Sequence, residues 1–176
     1  QVTQKVAEGH YTVLSVDDDE VNQEVMQVTL GQFKWDVVVR MNGMATLSYI
    51  EECSQLPDII LLDVMMPGMT GLEVLAAVRQ TYSVIELPII MVSAKNCTAT
   101  TIKGWEALCN DWVHKPFNGQ ELLARIKFQF ALKEHWRMFG AQIPRGPSFA
   151  LKDRQQQSPG DSPEAGNEHP AEHEKS

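Results

Sequence analysis

The chain has 176 residues and a net charge of −8, and residues 1–140 hold 11 basic against 17 acidic side chains, or −6 of that total. An acidic balance of this kind argues against nonspecific nucleic-acid binding, which needs a basic face. No apolar run is long enough for a membrane span, no signal-peptide pattern is present, and three cysteines without metal-ligand spacing (Cys53, Cys97, Cys109) point to a reduced, cytoplasmic setting.

Large apolar side chains concentrate before Gly140; beyond it only Ile143, Phe149 and Leu151 remain, with five of the nine prolines. That tail cannot bury enough apolar surface to offset chain entropy, so residues 141–176 are expected to be a disordered linker. Residues 1–10 read as an N-terminal linker, and residues 11–140 as one domain with its own core. The chain starts at Gln1 rather than Met, so it reads as a piece of a longer protein, one that a membrane could anchor elsewhere.

Thr12–Val16 predicts the first strand, followed by the acidic run Asp17-Asp18-Asp19-Glu20. Val21, Val25 and Val28 recur at i, i+4 and i+7 and predict a helix with that apolar face. Val37–Val39 predicts a second strand, and Leu47 with Ile50 a second helix. The most informative stretch comes next: Asp58-Ile-Ile-Leu-Leu-Asp63, then Val-Met-Met-Pro67-Gly-Met-Thr-Gly71. Four apolar residues bounded by turn signals read as a strand buried on both faces. Asp63 then sits at the carboxyl end of a central strand, where open α/β sheets bind ligands.

Leu72 and Leu75 predict a third helix, and Ile89–Val92 a fourth strand ending in Ser93-Ala94-Lys95. Ile102, Trp105 and Leu108 predict a fourth helix. The short Trp112–Val113 strand leads to Lys115-Pro116-Phe117, and Leu122, Ile126 and Phe130 mark a fifth helix. Strand–helix alternation five times over means a doubly wound parallel sheet with helices on both faces. The ends of strands one, three, four and five then share one edge.

That edge gathers several acids, a hydroxyl and a lysine. Crowded carboxylates raise one another's pKa and invite a cation. Hard oxygen ligands favour Mg²⁺ over Zn²⁺. Asp19 or Glu20 also suits the N-terminus of the first helix. A Lys-Pro bond adopts the cis form at modest cost, which would turn the Lys115 ammonium back over the sheet edge.

These motifs carry a family resemblance. Val-Asp-Asp at 16–18, Leu-Asp-Val-Met-Met-Pro-Gly-Met-Thr-Gly at 62–71, Ser-Ala-Lys at 93–95 and Lys-Pro-Phe at 115–117 resemble the receiver domain of two-component response regulators, over about Tyr11–Leu132. The resemblance implies the flavodoxin-like (βα)5 fold of the chemotaxis regulator, with strand order 2-1-3-4-5. It implies that Asp63 accepts a phosphoryl group from a phosphohistidine, on a histidine kinase or a phosphotransfer domain in cis or in trans. Asp18 and Asp63 would hold Mg²⁺ with the Met65 carbonyl, and Asp17 would act through water. Ser93 would be the switch hydroxyl, and Lys115 the cation on the phosphoryl oxygens.

Two positions depart from the usual pattern. Trp112 stands where Tyr or Phe is common, and its N–H wants a partner; switching and plain packing are both open to it. Thr70 stands where Asp often precedes the glycine. The wider sequence around Ser93 and Lys115 resembles receivers in hybrid sensor histidine kinases, algal rhodopsin-kinases among them, or receivers joined to nucleotide cyclases.

Competing functions fit less well. A haloacid-dehalogenase-type phosphatase has a second Asp two residues beyond its nucleophile, where this chain has Met65. A flavin carrier would need a Ser/Thr/Gly loop in place of the acidic run. A pseudo-receiver serving only as an interaction module is the remaining alternative. The expectation is therefore a signalling phosphoacceptor rather than an enzyme acting on external substrates. Its last helix should run from about Gly119 to Phe139 with a second apolar stripe, Phe128, Leu132, Trp136 and Phe139, for an output domain or a second copy.

Overall fold

A computed structural model describes residues 9–33, 35–94 and 98–138. Nearly all of the expected N-terminal linker, the expected tail at 141–176, Lys95, Cys97 and Phe139 lie outside the described residues. Five strands alternate with five helices: β1 (Thr12–Val16), α1 (Glu20–Gly31), β2 (Asp36–Arg40), α2 (Gly43–Glu52), β3 (Ile59–Asp63), α3 (Gly71–Arg79), β4 (Ile89–Ser93), α4 (Thr98–Glu106), β5 (Asp111–His114) and α5 (Gly119–Met138). The strands form one sheet in the order β2-β1-β3-β4-β5, with every neighbouring pair parallel. This is the flavodoxin-like fold expected from the motifs.

Parallel pairing explains the apolar runs. Every residue of β3 and of β4 is buried, because a central parallel strand is covered on both faces. Alternate residues feed two cores. Val13, Ile59, Leu61, Ile90 and Val92 meet Met26, Leu30, Leu122, Ile126 and Phe130 on one side of the sheet. Leu14, Val16, Ile60, Leu62 and Met91 meet Ile50, Val74, Leu75 and Val78 on the other.

Helix ends follow their local chemistry. Asp19 caps α1, its carboxylate accepting from the Val21 and Asn22 amides. Thr70 caps α3 and forms a reciprocal box with Glu73, so the departure from Asp at this position is absorbed by a hydroxyl that does the same work.

Two helix faces differ from the periodicity. Val21, Val25 and Val28 point outward on α1, at 65, 50 and 79 % exposure; the buried stripe is Gln23, Met26 and Leu30, about 170° around the helix at 100° per residue. Both faces carry apolar residues, and periodicity alone cannot choose between them. On α4, Ile102 and Trp105 are likewise exposed and Gly104 is the buried residue; Leu108, expected on the same helix, lies beyond its end and is also exposed. The Trp112 indole fills the space beneath α4: a Cβ on Gly104 would lie 2.4 Å from its ring. Only a glycine lets the helix come that close.

α5 spans 20 residues, about 30 Å. Leu122, Leu123, Ile126 and Phe130 pack on the sheet as expected, and Lys133 and Glu134 continue the buried side. Phe128, Leu132 and Trp136 are exposed at 60, 39 and 38 %, so the described part of the second stripe stands outside the domain core.

Candidate functional site

β3 delivers Asp63 to the sheet edge, where it is 5 % exposed. The turn beyond it is fixed by Gly68, whose φ of +79° favours glycine, and by Gly71. The Gly71 amide donates to the Val64 carbonyl at 3.0 Å. A Cβ at Gly71 would stand 2.0 Å from the Asp63 carbonyl oxygen, so the start of α3 can press against the strand end only with a glycine there. The Met65 amide donates to Asp63 Oδ2 at 2.5 Å.

β1 brings Asp17 alongside, 7 % exposed. Its backbone amide donates to the Arg40 carbonyl at 3.2 Å. Its Oδ1 accepts from the Asp19 amide at 3.0 Å and from Asn22 Nδ2 at 3.1 Å. β5 ends in His114, and the Lys115 amide donates to the Ser93 carbonyl at 2.8 Å. The Lys115–Pro116 peptide is cis. The Lys115 ammonium lies between the two aspartates, 2.5 Å from Asp17 Oδ2 and 2.6 Å from Asp63 Oδ1. Burial works to lower the lysine pKa, but the hydrogen bonds and attraction of both carboxylates outweigh it and leave the pKa raised.

Asp17, Asp18, Asp63, Met65, Ala94 and Lys115 line one cavity of about 620 Å³, with Val25, Met26, Pro116 and Phe117 on its apolar side. The expected strand-end residues thus converge, with two exceptions. Asp18 lines the cavity but is exposed to solvent. Ser93 is fully buried and is not part of the lining; its neighbour Ala94 is.

Trp112 sits one core layer below, 6 % exposed, and pairs in register with Met91 of β4. Its Nε1 has no hydrogen-bond partner among the described residues, which typically costs about 1–3 kcal/mol. The indole is therefore packed inward in this structure at a polar cost.

The donor set fits a hydrated Mg²⁺ ion. Asp17, Asp18, Asp63 and Met65 line one cavity, so carboxylate and backbone oxygens are available there, and Mg²⁺ commonly takes only one or two carboxylates and keeps several waters. The site is not a ready-made cage. Among the described residues no three His, Cys, Asp or Glu side chains gather closely enough to hold a metal, and Lys115 bridges Asp17 and Asp63.

Sequence reasoning missed Asn22 and Gln23 on α1. Asn22 lines the cavity and bonds Asp17; Gln23 is buried behind the same loop. The available signal was a pair of amides two and three residues beyond an acidic cluster, at positions expected to be apolar or solvated.

The parallel 2-1-3-4-5 sheet with an Asp/Asp/Lys cluster at its carboxyl edge defines a phosphorelay receiver-type module. Residues 13–127 match the response regulator receiver domain family, and the chain belongs to that family. It is similar to a putative response regulator from Chloroflexus aurantiacus, with 34 % identity and a TM-score of 0.63 over 70 % of this chain and 99 % of that one. It is also similar to the receiver domain of the Francisella response regulator 1452, at 28 % identity and a TM-score of 0.61 over 68 % and 96 % of the two chains. The Vibrio cholerae chemotaxis protein CheY4 matches at 28 % identity and a TM-score of 0.60, over 68 % and 98 %. Receiver domains are signalling modules rather than classical enzymes. They generally bind Mg²⁺ at a phosphorylation site and work with histidine kinases or phosphotransfer proteins and with output domains. No helix among the described residues is long and apolar enough to cross a membrane.

Proposed function

We propose that this domain, residues 11–140, accepts a phosphoryl group on Asp63 from a phosphohistidine and signals the change to an output domain. The observation that carries this reading is the Lys115 ammonium held between Asp63 and Asp17 at the mouth of an open cavity. In the reaction, an Asp63 carboxylate oxygen attacks phosphorus in line as the P–N bond to the donor imidazole breaks. The departing imidazole keeps the electron pair and takes up a proton, and an acyl phosphate remains on Asp63. Such a transition state is metaphosphate-like, so positioning and charge neutralisation dominate.

Lys115 neutralises charge on the phosphoryl oxygens and, through Asp17, stays anchored to β1. The Met65 amide fixes the orientation of the Asp63 carboxylate. Asp18, Asp63 and the Met65 carbonyl would hold Mg²⁺, with Asp17 acting through water, and the ion would supply Lewis-acid neutralisation of a second phosphoryl oxygen. Exposed Val21, Val25 and Val28 on α1, with Phe117 at the cavity wall, offer an apolar footing for the donor. The half-buried Cys53 and buried Cys109 are free thiols, which accords with a cytoplasmic setting.

Phosphorylation adds roughly two negative charges, and the buried Ser93 hydroxyl is the natural group to turn toward them. Trp112, unpaired at Nε1, would gain a hydrogen bond from an arrangement that offered it an acceptor.

Intact-mass measurement after incubation with a small acyl phosphate and Mg²⁺ tests the proposal. One added phosphate is expected in the wild type and none in Asp63→Asn; undiminished labelling of that variant would sink it. The pseudo-receiver alternative draws on the Lys115 bridge that already satisfies both aspartates. It predicts no labelling in either protein.

A further inference from the structure

The sheet-facing positions of α1 are 23, 26 and 30. Met26 and Leu30 are apolar, as a core stripe should be; Gln23 is not, and it is 4 % exposed. A buried amide is costly unless its hydrogen bonds are made. Here they are. Gln23 Nε2 lies 3.3 Å from the Ser15 carbonyl, 3.1 Å from the Asp17 carbonyl and 3.2 Å from the Arg40 carbonyl. Its Oε1 accepts from the Ser15 hydroxyl at 2.7 Å. One side chain thus ties together the end of β1, the first residue of the acidic loop and the end of β2.

The neighbouring residue acts on the carboxylate itself. Asn22 Nδ2 and the Asp19 amide both donate to Asp17 Oδ1. With Oδ1 held from two directions, Oδ2 is the oxygen left facing Lys115 at 2.5 Å.

We propose that Asn22 and Gln23 are positioning residues of this site: Gln23 fixes the backbone of Asp17, Asn22 fixes its carboxylate, and through Asp17 the pair aims the Lys115 ammonium at Asp63. The inference rests on the phosphoacceptor reading of Asp63. Neither amide touches the phosphoryl group in this scheme. Their effect is on where charge stands when it arrives, and partners one shell out from a metal or reacting group commonly matter by about 10–100-fold.

The test uses the whole chain as wild type, Asn22→Ala, Gln23→Leu and Asp63→Asn, below the melting temperature of each. Two readouts are followed: Mg²⁺ affinity by calorimetry, and the rate of acyl-phosphate labelling against donor concentration. Asn22→Ala and Gln23→Leu should each lower the maximal labelling rate by about tenfold, weaken Mg²⁺ by about tenfold, and leave the donor half-saturation unchanged. A merely structural fastening would lower the melting temperature and move neither readout. Should Gln23→Leu fail to fold, Asn22→Ala carries the test, since Asn22 is partly exposed at the cavity.

Wild-type rate and Mg²⁺ affinity in both folded variants would overturn the positioning role while leaving Asp63 labelling intact. An unlabelled wild type, or labelling of Asp63→Asn, would overturn the phosphoacceptor reading instead. The calorimetric affinities would then decide the positioning role alone. A wild type that neither binds Mg²⁺ nor takes label would overturn both.

Discussion

Lys115 is the residue on which the electrostatics of the site turn. It is 15 % exposed at the side chain, against 10 % for Asp17 and 7 % for Asp63. Two inward carboxylates with no cation between them repel each other and resist desolvation. Removing one partner of such a buried set typically costs about 3 kcal/mol. Lys115→Ala should therefore melt at a lower temperature in the absence of Mg²⁺ and recover part of the loss when Mg²⁺ is added. The same variant should bind Mg²⁺ more tightly than the wild type, because no ammonium competes for the carboxylates, yet label more slowly. Calorimetry and intact-mass kinetics on one preparation check both signs. Weaker Mg²⁺ binding in Lys115→Ala would mean that the lysine organises the acids rather than competing for them.

Among the elements, α5 carries two faces with different fates. Its inner side is held to the sheet by Leu122, Ile126 and Phe130, and farther along by Lys133, whose ammonium lies 3.2 Å from Asp58 Oδ1 and so ties the helix to the loop before β3. Its outer side leaves Phe128, Leu132 and Trp136 in solvent. An exposed apolar stripe on a helix already anchored by its other face is the mark of a contact made in a larger assembly. The expected occupant is a second copy or a neighbouring domain, with phosphorylation altering the contact. For a second copy, sedimentation of the wild type and of Leu132→Glu/Trp136→Glu, each with and without a phosphoryl mimic, should show an associating wild type and a monomeric variant. Four identical monomers would rule out self-association and leave an output domain as the occupant.

At the scale of the whole molecule, the response to alkaline pH follows from buried groups outside the site together with Lys115 within it. Burial pushes the Cys109 thiol up from 9.0 to about 11, against the pull of nearby Arg79. Burial also raises Tyr11, with Glu134 and Asp58 adding to it. An acid with a raised folded pKa stays protonated in the fold after the unfolded chain has ionised. Its stabilisation is complete below the unfolded pKa and is lost as pH rises through the folded one. Lys115, also raised, loses its contribution above 10.5. Lys133, lowered from 10.5 by burial, acts in the opposite sense and offsets part of the loss. The melting temperature should fall from about pH 9 upward, and Cys109→Ala should flatten that fall between pH 9 and 11. Parallel slopes for the two proteins would remove Cys109 from the account.

The strands and their order of use were legible in the chain itself. Ile59–Leu62 and Ile89–Val92 are unbroken apolar runs because parallel central strands are covered on both faces, and that requirement is written locally. The convergence of Asp17, Asp63 and Lys115 followed from the parallel sheet, since parallel strands joined by crossover helices all end on the same edge. Which face of a helix points inward was not written locally. α1 has valines on one side and Met26 and Leu30 on the other, and α4 shows apolar residues where it meets solvent. Only the packed structure decided, because α4 is seated by a glycine against an indole supplied by β5, and α1 by a glutamine whose acceptors come from two strands. The two amides behind Asp17 were hidden for the same reason: a hydrogen-bonding role exists only once Ser15, Asp17 and Arg40 have been brought to one place.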